Sequence, residues 1–248
     1  MQSGFLQDKV LDHFTDASTV YACRKGVVHP EADPIIVDFI SEMQTDANLG
    51  KVLEVGGGSG YLLGLLAEEI EAVQLINCEL AYHVYRKQVN SSIVLVGGNA
   101  LNLPFAESEF DYVIAKNLLH HLVGRTRRES KGFAQRAAIE LRRVAKSRGY
   151  LIILEQYHQY DLCAAVLFYL TLLLSMGSFR LDALGIRPKV VVSFLALSEL
   201  HELFERPCAG RDQVIMDRTK ALPATSAIRL LPFLSRFGRL LFIKEVHK

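Results

Sequence analysis

The stretch KVLEVGGGSGY at 51–61 places four glycines within five positions, directly behind a short apolar run. Glycine loses more backbone freedom on folding than any other residue, so such a cluster marks a tight turn or a close approach of ligand to backbone. The following YLLGLLAEEIE (61–71) has the apolar spacing of an amphipathic helix. Strand, glycine turn and helix together form the opening unit of an open parallel sheet, where ligands bind beyond the carboxyl ends of the strands.

The alternation continues. QLINCEL (74–80), SIVLVGG (92–98), FDYVIAKN (110–117) and GYLIILEQY (149–157) read as strands, with helix-like AYHVYRKQV (81–89) and a long helix over about 127–147 between them. Helices are expected at 5–22 and 31–43, and SFLALSELHELFER (193–206) as another. QVIMDRT (213–219) and RLLFIKEVH (239–247) fit closing strands. The fold class is α/β: a Rossmann-like, doubly wound, mostly parallel seven-stranded sheet with helices on both faces.

With 28 basic and 27 acidic residues the net charge is +1, which disfavours a protein that wraps nucleic acid. Arg136, Arg142, Arg143 and Lys146 share one side of the long helix and, with GRTRRESK (124–131), form a basic stripe. It reads as a solvated outer face, or as a docking surface for an anionic partner. Cys23, Cys78, Cys163 and Cys208 are scattered and form no C-x-x-C pair, which favours a reducing compartment. MQSGFLQDKVLDHF lacks a basic start followed by an apolar core, so the expected location is cytoplasmic. LCAAVLFYLTLLLSMGSF (162–179) is uncharged and at the lower edge of the ~18–20 residues a spanning helix needs. Its Tyr, Thr, Ser and Gly residues favour a buried or cavity-lining helix, with membrane-surface contact as the alternative.

Two nucleotide patterns fail. A G-x-G-x-x-G register starting at Gly56 puts Tyr61 at its third glycine, and one starting at Gly58 puts Leu63 there. What fits is E-x-G-x-G-x-G, formed by Glu54, Gly56, Gly58 and Gly60. Here the chain resembles the class I S-adenosylmethionine-dependent methyltransferases, in the branch of the ubiquinone/menaquinone-biosynthesis and small-molecule tailoring enzymes. Three further segments carry the resemblance: Glu79 at the end of the second strand, GGNALNLPFAESEFDYVI (97–114), and AKNLLHHL (115–122).

The resemblance implies S-adenosylmethionine as cofactor, leaving as S-adenosylhomocysteine. It implies that Glu54, Gly56, Gly57, Gly58 and Gly60 enclose the methionyl part. Glu79 and Leu80 would lie at the ribose, Asn99, Ala100 and Leu101 at the adenine, and Lys116 and Asn117 along the cofactor. Asn99 stands where an acid is commoner in the family. The implied organisation is a single domain over 1–248: a helical cap (1–47), a cofactor core (48–157), an insertion forming a lid that shapes the acceptor pocket (158–192), and a C-terminal helix with closing strands (193–248).

Methyl transfer needs orientation, exclusion of water and management of one proton. Candidate bases are His120, His121, Glu155, His158 and, from the N-terminal helix, Tyr21, which the resemblance also implies as a lid residue. No metal is expected. The acceptor is expected to be small and hydrophobic. Alternatives are a cofactor-binding relative with other chemistry, such as a cyclisation, and a protein or RNA methyltransferase.

Overall fold

The structure is a computed structural model; it describes residues 29–44, 50–70, 74–86, 91–176, 191–205, 212–223 and 236–248. The expected helix at 5–22, with Tyr21, lies outside the described residues.

Helix α1 (Ala32–Met43) precedes strand β1 (Lys51–Val55), and helix α2 (Tyr61–Glu69) leads to β2 (Gln74–Glu79). A single turn, α3 (Tyr82–Tyr85), precedes β3 (Ile93–Gly97) and β4 (Phe110–Lys116). A 3-10 turn (Leu119–His121) leads to α4 (Arg127–Val144), β5 (Ala145–His158) and α5 (Asp161–Met176). The two-residue β6 (Leu195–Ala196), α6 (Leu197–Glu205), β7 (Gln213–Ala221) and β8 (Phe237–Glu245) complete the described elements.

Seven strands follow the order β3-β2-β1-β4-β5-β8-β7, and β6 branches off β5. Strands β1 to β5 pair in parallel, whereas β8 runs antiparallel to both β5 and β7. The chain order reverses between β1 and β4, which is where an open α/β sheet forms a crevice.

Alternation along the strands divides the core into two layers. Leu53, Val55, Val113, Leu151 and Ile153 pack towards Ala137, Leu141 and Val144 of α4. Val52, Ile114, Ile152 and Leu154 pack towards Ile36 and Ile40 of α1 and Leu62, Leu63 and Leu66 of α2. Because both faces are covered, these strands read as apolar runs instead of polar–apolar alternation.

Helix α4 starts where Thr126 accepts a hydrogen bond from Glu129 N–H at 3.1 Å, a Ser/Thr cap with an acid in the first turn. It ends before the expected 147 because Ala145 is extended and opens β5. Much of its basic stripe is engaged in pairs within the chain, although Arg136 is exposed. Arg142 binds Asp212 and the His247 carbonyl, and Arg143 binds Glu140 and the Leu103 and Phe105 carbonyls. Lys146 pairs with Asp111 at 2.8 Å.

Helix α5 is only partly buried, where a buried or cavity-lining helix was expected. Ala164 and Phe168 face inward and Phe168 packs on Val123 and Val191, whereas Leu162 and Leu173 are 76% and 68% exposed. Among the described residues, no helix is long and apolar enough to cross a membrane.

Candidate active site

A cavity of about 370 Å³ opens at the carboxyl ends of β1, β2 and β4, the place the strand-order reversal selects. One wall is the glycine loop. Gly56, Gly58 and Gly60 have φ of 74°, 55° and 71°, left-handed backbone that side chains disfavour. Gly56 N–H donates to the Cys78 carbonyl at 2.8 Å and Gly60 N–H to Gly57 at 2.9 Å, so the turn closes over β2 and enters α2.

Gly57 is glycine for a different reason. A Cβ there would stand 2.7 Å from both Glu54 Oε2 and Asn77 Oδ1. The β1–β2 register sets Glu54 beside Asn77, and Asn77 Nδ2 donates to the Gly58 carbonyl at 2.9 Å. Glu54 Oε2 is buried without a hydrogen-bond partner among the described residues. Burial pushes the Glu54 carboxyl up to about 7; Lys116 opposes this, while Asp33 and Glu79 add to it.

Glu79 ties the loop to β2. Its Oε2 accepts from Gly58 N–H and its Oε1 from Ala81 N–H, both at 3.0 Å. Burial raises its carboxyl above the usual range, and these backbone donors oppose the rise. Leu80, Asn99 and Ala100 continue the wall. Asn99 Oδ1 accepts from Leu101 N–H at 2.9 Å, so the amide that stands in place of an acid fixes its own turn. Gly60 and Leu101 are not among the residues that line the cavity.

The opposite end is built from β4, the 3-10 turn and β5. Asn117 leaves β4 with φ 51°, a left-handed conformation Asn tolerates, and its N–H donates to the Leu154 carbonyl at 2.8 Å. The turn brings Leu118, His120, His121, Leu122 and Val123 to the cavity beside Gln156 of β5. His120 Nδ1 lies 2.5 Å from Glu155 Oε1, and Leu119 N–H donates to Glu155 Oε2 at 2.7 Å. Glu155 is 1% exposed and stands behind His120, outside the lining. The His120 and His121 rings are 4.1 Å apart, and Phe194 stacks on His120 at 5.2 Å.

His158, expected among the candidate bases, is away from the cavity. It is fully buried, its Nδ1 accepts from Tyr160 N–H at 3.0 Å, and Phe237 meets it edge-on. The sequence reading missed Asp33, whose carboxylate pairs with Lys116 Nζ at 2.7 Å, and His29, whose Nε2 is 2.7 Å from Asn117 Nδ2. It also missed Gln156 and Val123. An acid in the first turn of a helix and a glutamine within a strand carry no local signal of that kind.

Residues 53–153 match the family model described as a methyltransferase domain. Over that stretch the chain is similar to methyltransferase domains. A protein of Encephalitozoon cuniculi named as a methyltransferase is 42% identical over 59 residues, 24% of this chain and 25% of its own length. The chain thus spans about a quarter of that relative. A Methanosarcina mazei S-adenosylmethionine-dependent methyltransferase structure superposes with TM-score 0.57 at 18% identity, covering 89% of this chain and 99% of its own. The [4+2]-cyclase SpnF superposes with TM-score 0.57 at 14% identity, covering 87% of this chain and 82% of its own. Those two likenesses show a shared fold. The match ends within β5, so Glu155, Gln156 and everything beyond belong to the part the family model does not cover.

Proposed function

We propose that the chain transfers a methyl group from S-adenosylmethionine to a small, largely apolar acceptor. One observation carries the reading: a single cavity joins a glycine-lined end holding two acids to an end of histidines and apolar side chains. The acidic end fits the cofactor. Glu54 Oε2 lacks a partner among the described residues, and Gly57 leaves the space beside it bare, which suits a methionyl ammonium. Backbone N–H groups hold the Glu79 carboxylate, whose remaining acceptor capacity suits a ribose hydroxyl.

When bound, the cofactor supplies an electrophilic methyl carbon on a sulfonium whose departure leaves a neutral thioether. The chain's own residues then orient, desolvate and manage a proton. Leu118, Leu122 and Val123 form an apolar wall that excludes water from the acceptor end. Phe168 of α5 backs Val123, so the helix after β5 shapes that wall from behind. His120, on the cavity surface, is placed to take a proton.

Titration calorimetry with S-adenosylhomocysteine tests the site: tight binding by the wild type and much weaker binding by Gly57→Ala are expected. Absence of heat with S-adenosylmethionine and S-adenosylhomocysteine alike overturns the reading. A second reading, cofactor-assisted chemistry without methyl transfer, predicts product formation with no S-adenosylhomocysteine released.

A further inference from the structure

We infer that Asn99 reads the cofactor's purine with a hydrogen-bond donor, so this chain takes a nucleoside cofactor whose base lacks the exocyclic amino group as readily as the adenosyl one. The inference rests on the methyl-transfer reading and names what the same site selects in the base. The cavity wall runs from the glycine loop past Glu79 to Leu80, Asn99 and Ala100. With a methionyl ammonium at Glu54 and a ribose at Glu79, the base falls against that last stretch.

The backbone there is held firmly. The Asn99 carbonyl accepts from Asn102 N–H at 2.9 Å, and Gly98 N–H donates to the Glu79 carbonyl at 3.2 Å. A Cβ on Gly98 would stand 2.5 Å from Cys78 Sγ and 2.9 Å from Pro104 Cδ, so the chain entering Asn99 is packed close against β2. Asn99 therefore has little room to shift towards or away from a ligand.

The turn also decides which end of the carboxamide faces outward. Oδ1 accepts from Leu101 N–H at 2.9 Å. Reversing the amide would set Nδ2 against that N–H, donor against donor, so the oxygen stays with the backbone. Nδ2 is then the outer group. It has no partner among the described residues, and it belongs to a half-buried side chain that lines the cavity.

A carboxylate in the same place would behave differently. It would give one oxygen to Leu101 N–H and turn the other, an acceptor, to the base. The rim of adenine carries an amino donor and ring-nitrogen acceptors. An acid pairs with the amino group, whereas the Asn99 N–H₂ opposes it and pairs with a ring nitrogen. The neighbouring lining side chains, Leu80 and Ala100, are apolar and offer the amino group no substitute acceptor. Asn99 is thus a specificity-determining residue for the base.

The full chain is titrated calorimetrically with S-adenosylhomocysteine and with its analogue bearing hydrogen in place of the 6-amino group. The wild type is expected to bind the two within about threefold of each other, less than one net hydrogen bond. Asn99→Asp keeps an acceptor for Leu101 N–H and is expected to favour S-adenosylhomocysteine by about tenfold, as one charge-assisted hydrogen bond would. A role confined to holding the turn would leave the ratio of the two affinities the same in both proteins. A larger preference of the wild type for S-adenosylhomocysteine, or an unchanged ratio in Asn99→Asp, overturns the inference and leaves methyl transfer standing. Failure of the wild type to bind either compound overturns the methyl-transfer reading itself.

Discussion

Lys116 Nζ lies 2.7 Å from Asp33 Oδ1, so the last residue of β4 is joined to the first turn of α1 by an ion pair that is almost fully buried. The same carboxylate accepts from His29 N–H at 2.8 Å, and His29 in turn meets Asn117. This cluster connects the chain entering the domain to the floor of the cavity.

Removing one partner of that pair leaves an uncompensated buried charge. Lys116→Met is expected to destabilise the protein by ~3–5 kcal/mol, while Lys116→Met with Asp33→Leu recovers much of the loss. Denaturant midpoints for the two single variants and the double variant measure the coupling. Additive losses would show that the pair contributes nothing as a unit.

Two glycines separate space from entropy. At Gly57 an added Cβ meets Glu54 and Asn77 at 2.7 Å, whereas at Gly64, within α2, it meets nothing within 4 Å. Gly57→Ala is expected to weaken S-adenosylhomocysteine binding by ~10²-fold, close to 3 kcal/mol. Gly64→Ala leaves binding unchanged and raises stability by ~0.5–1 kcal/mol, because alanine has less freedom to lose in a helix. Calorimetry and thermal melts on both variants check the pair.

Stability should respond to pH with two opposing signs. Burial, followed by Arg239 and Lys116, lowers His29 from 6.5 to about 4, so between those values the folded chain binds fewer protons than the unfolded one. Its contribution is complete above pH 6.5 and is lost as pH falls towards 4, by ~3 kcal/mol at most. Glu54 is raised from 4.5 to about 7, so the folded chain holds an extra proton in that window. Stability from this group is present below 4.5 and declines as pH rises to 7. Chemical denaturation from pH 4.5 to 8 should show His29→Gln flattening the acid side and Glu54→Gln flattening the rise towards neutrality. A cofactor ammonium selects the ionised Glu54, so S-adenosylhomocysteine affinity should increase as pH passes 7.

Arg127 fastens the start of α4 to the segments on the far side of β5. Its guanidinium donates to the Phe194 carbonyl at 2.7 Å, reaches Glu199 at 3.1 Å, and pairs with Asp161. Arg127→Met is expected to cost ~3 kcal/mol by leaving these acceptors without their donor. Because Phe194 stacks on His120, the variant should also perturb the His120 side-chain resonances, which histidine NMR would detect.

The glycine turn, its preceding strand and the alternation through β5 were legible in the sequence because their signals are local. An apolar run, a turn with positive φ and an amphipathic helix each lie within a short window. That Glu54, Glu79 and His120 come to the cavity was likewise legible, because they stand at strand ends or just beyond them. Pairing was not legible. Glu155 reaches His120 across 35 residues and Lys116 reaches Asp33 across 83, both by the parallel register of strands and by where α1 packs. His158 shows the converse: a residue three places from Glu155 lost its expected role because β5 runs on and pairs with β6 and β8. Composition and spacing determine which elements form, but only packing in three dimensions decides which charges face one another, because that is set by contacts between segments far apart in the chain.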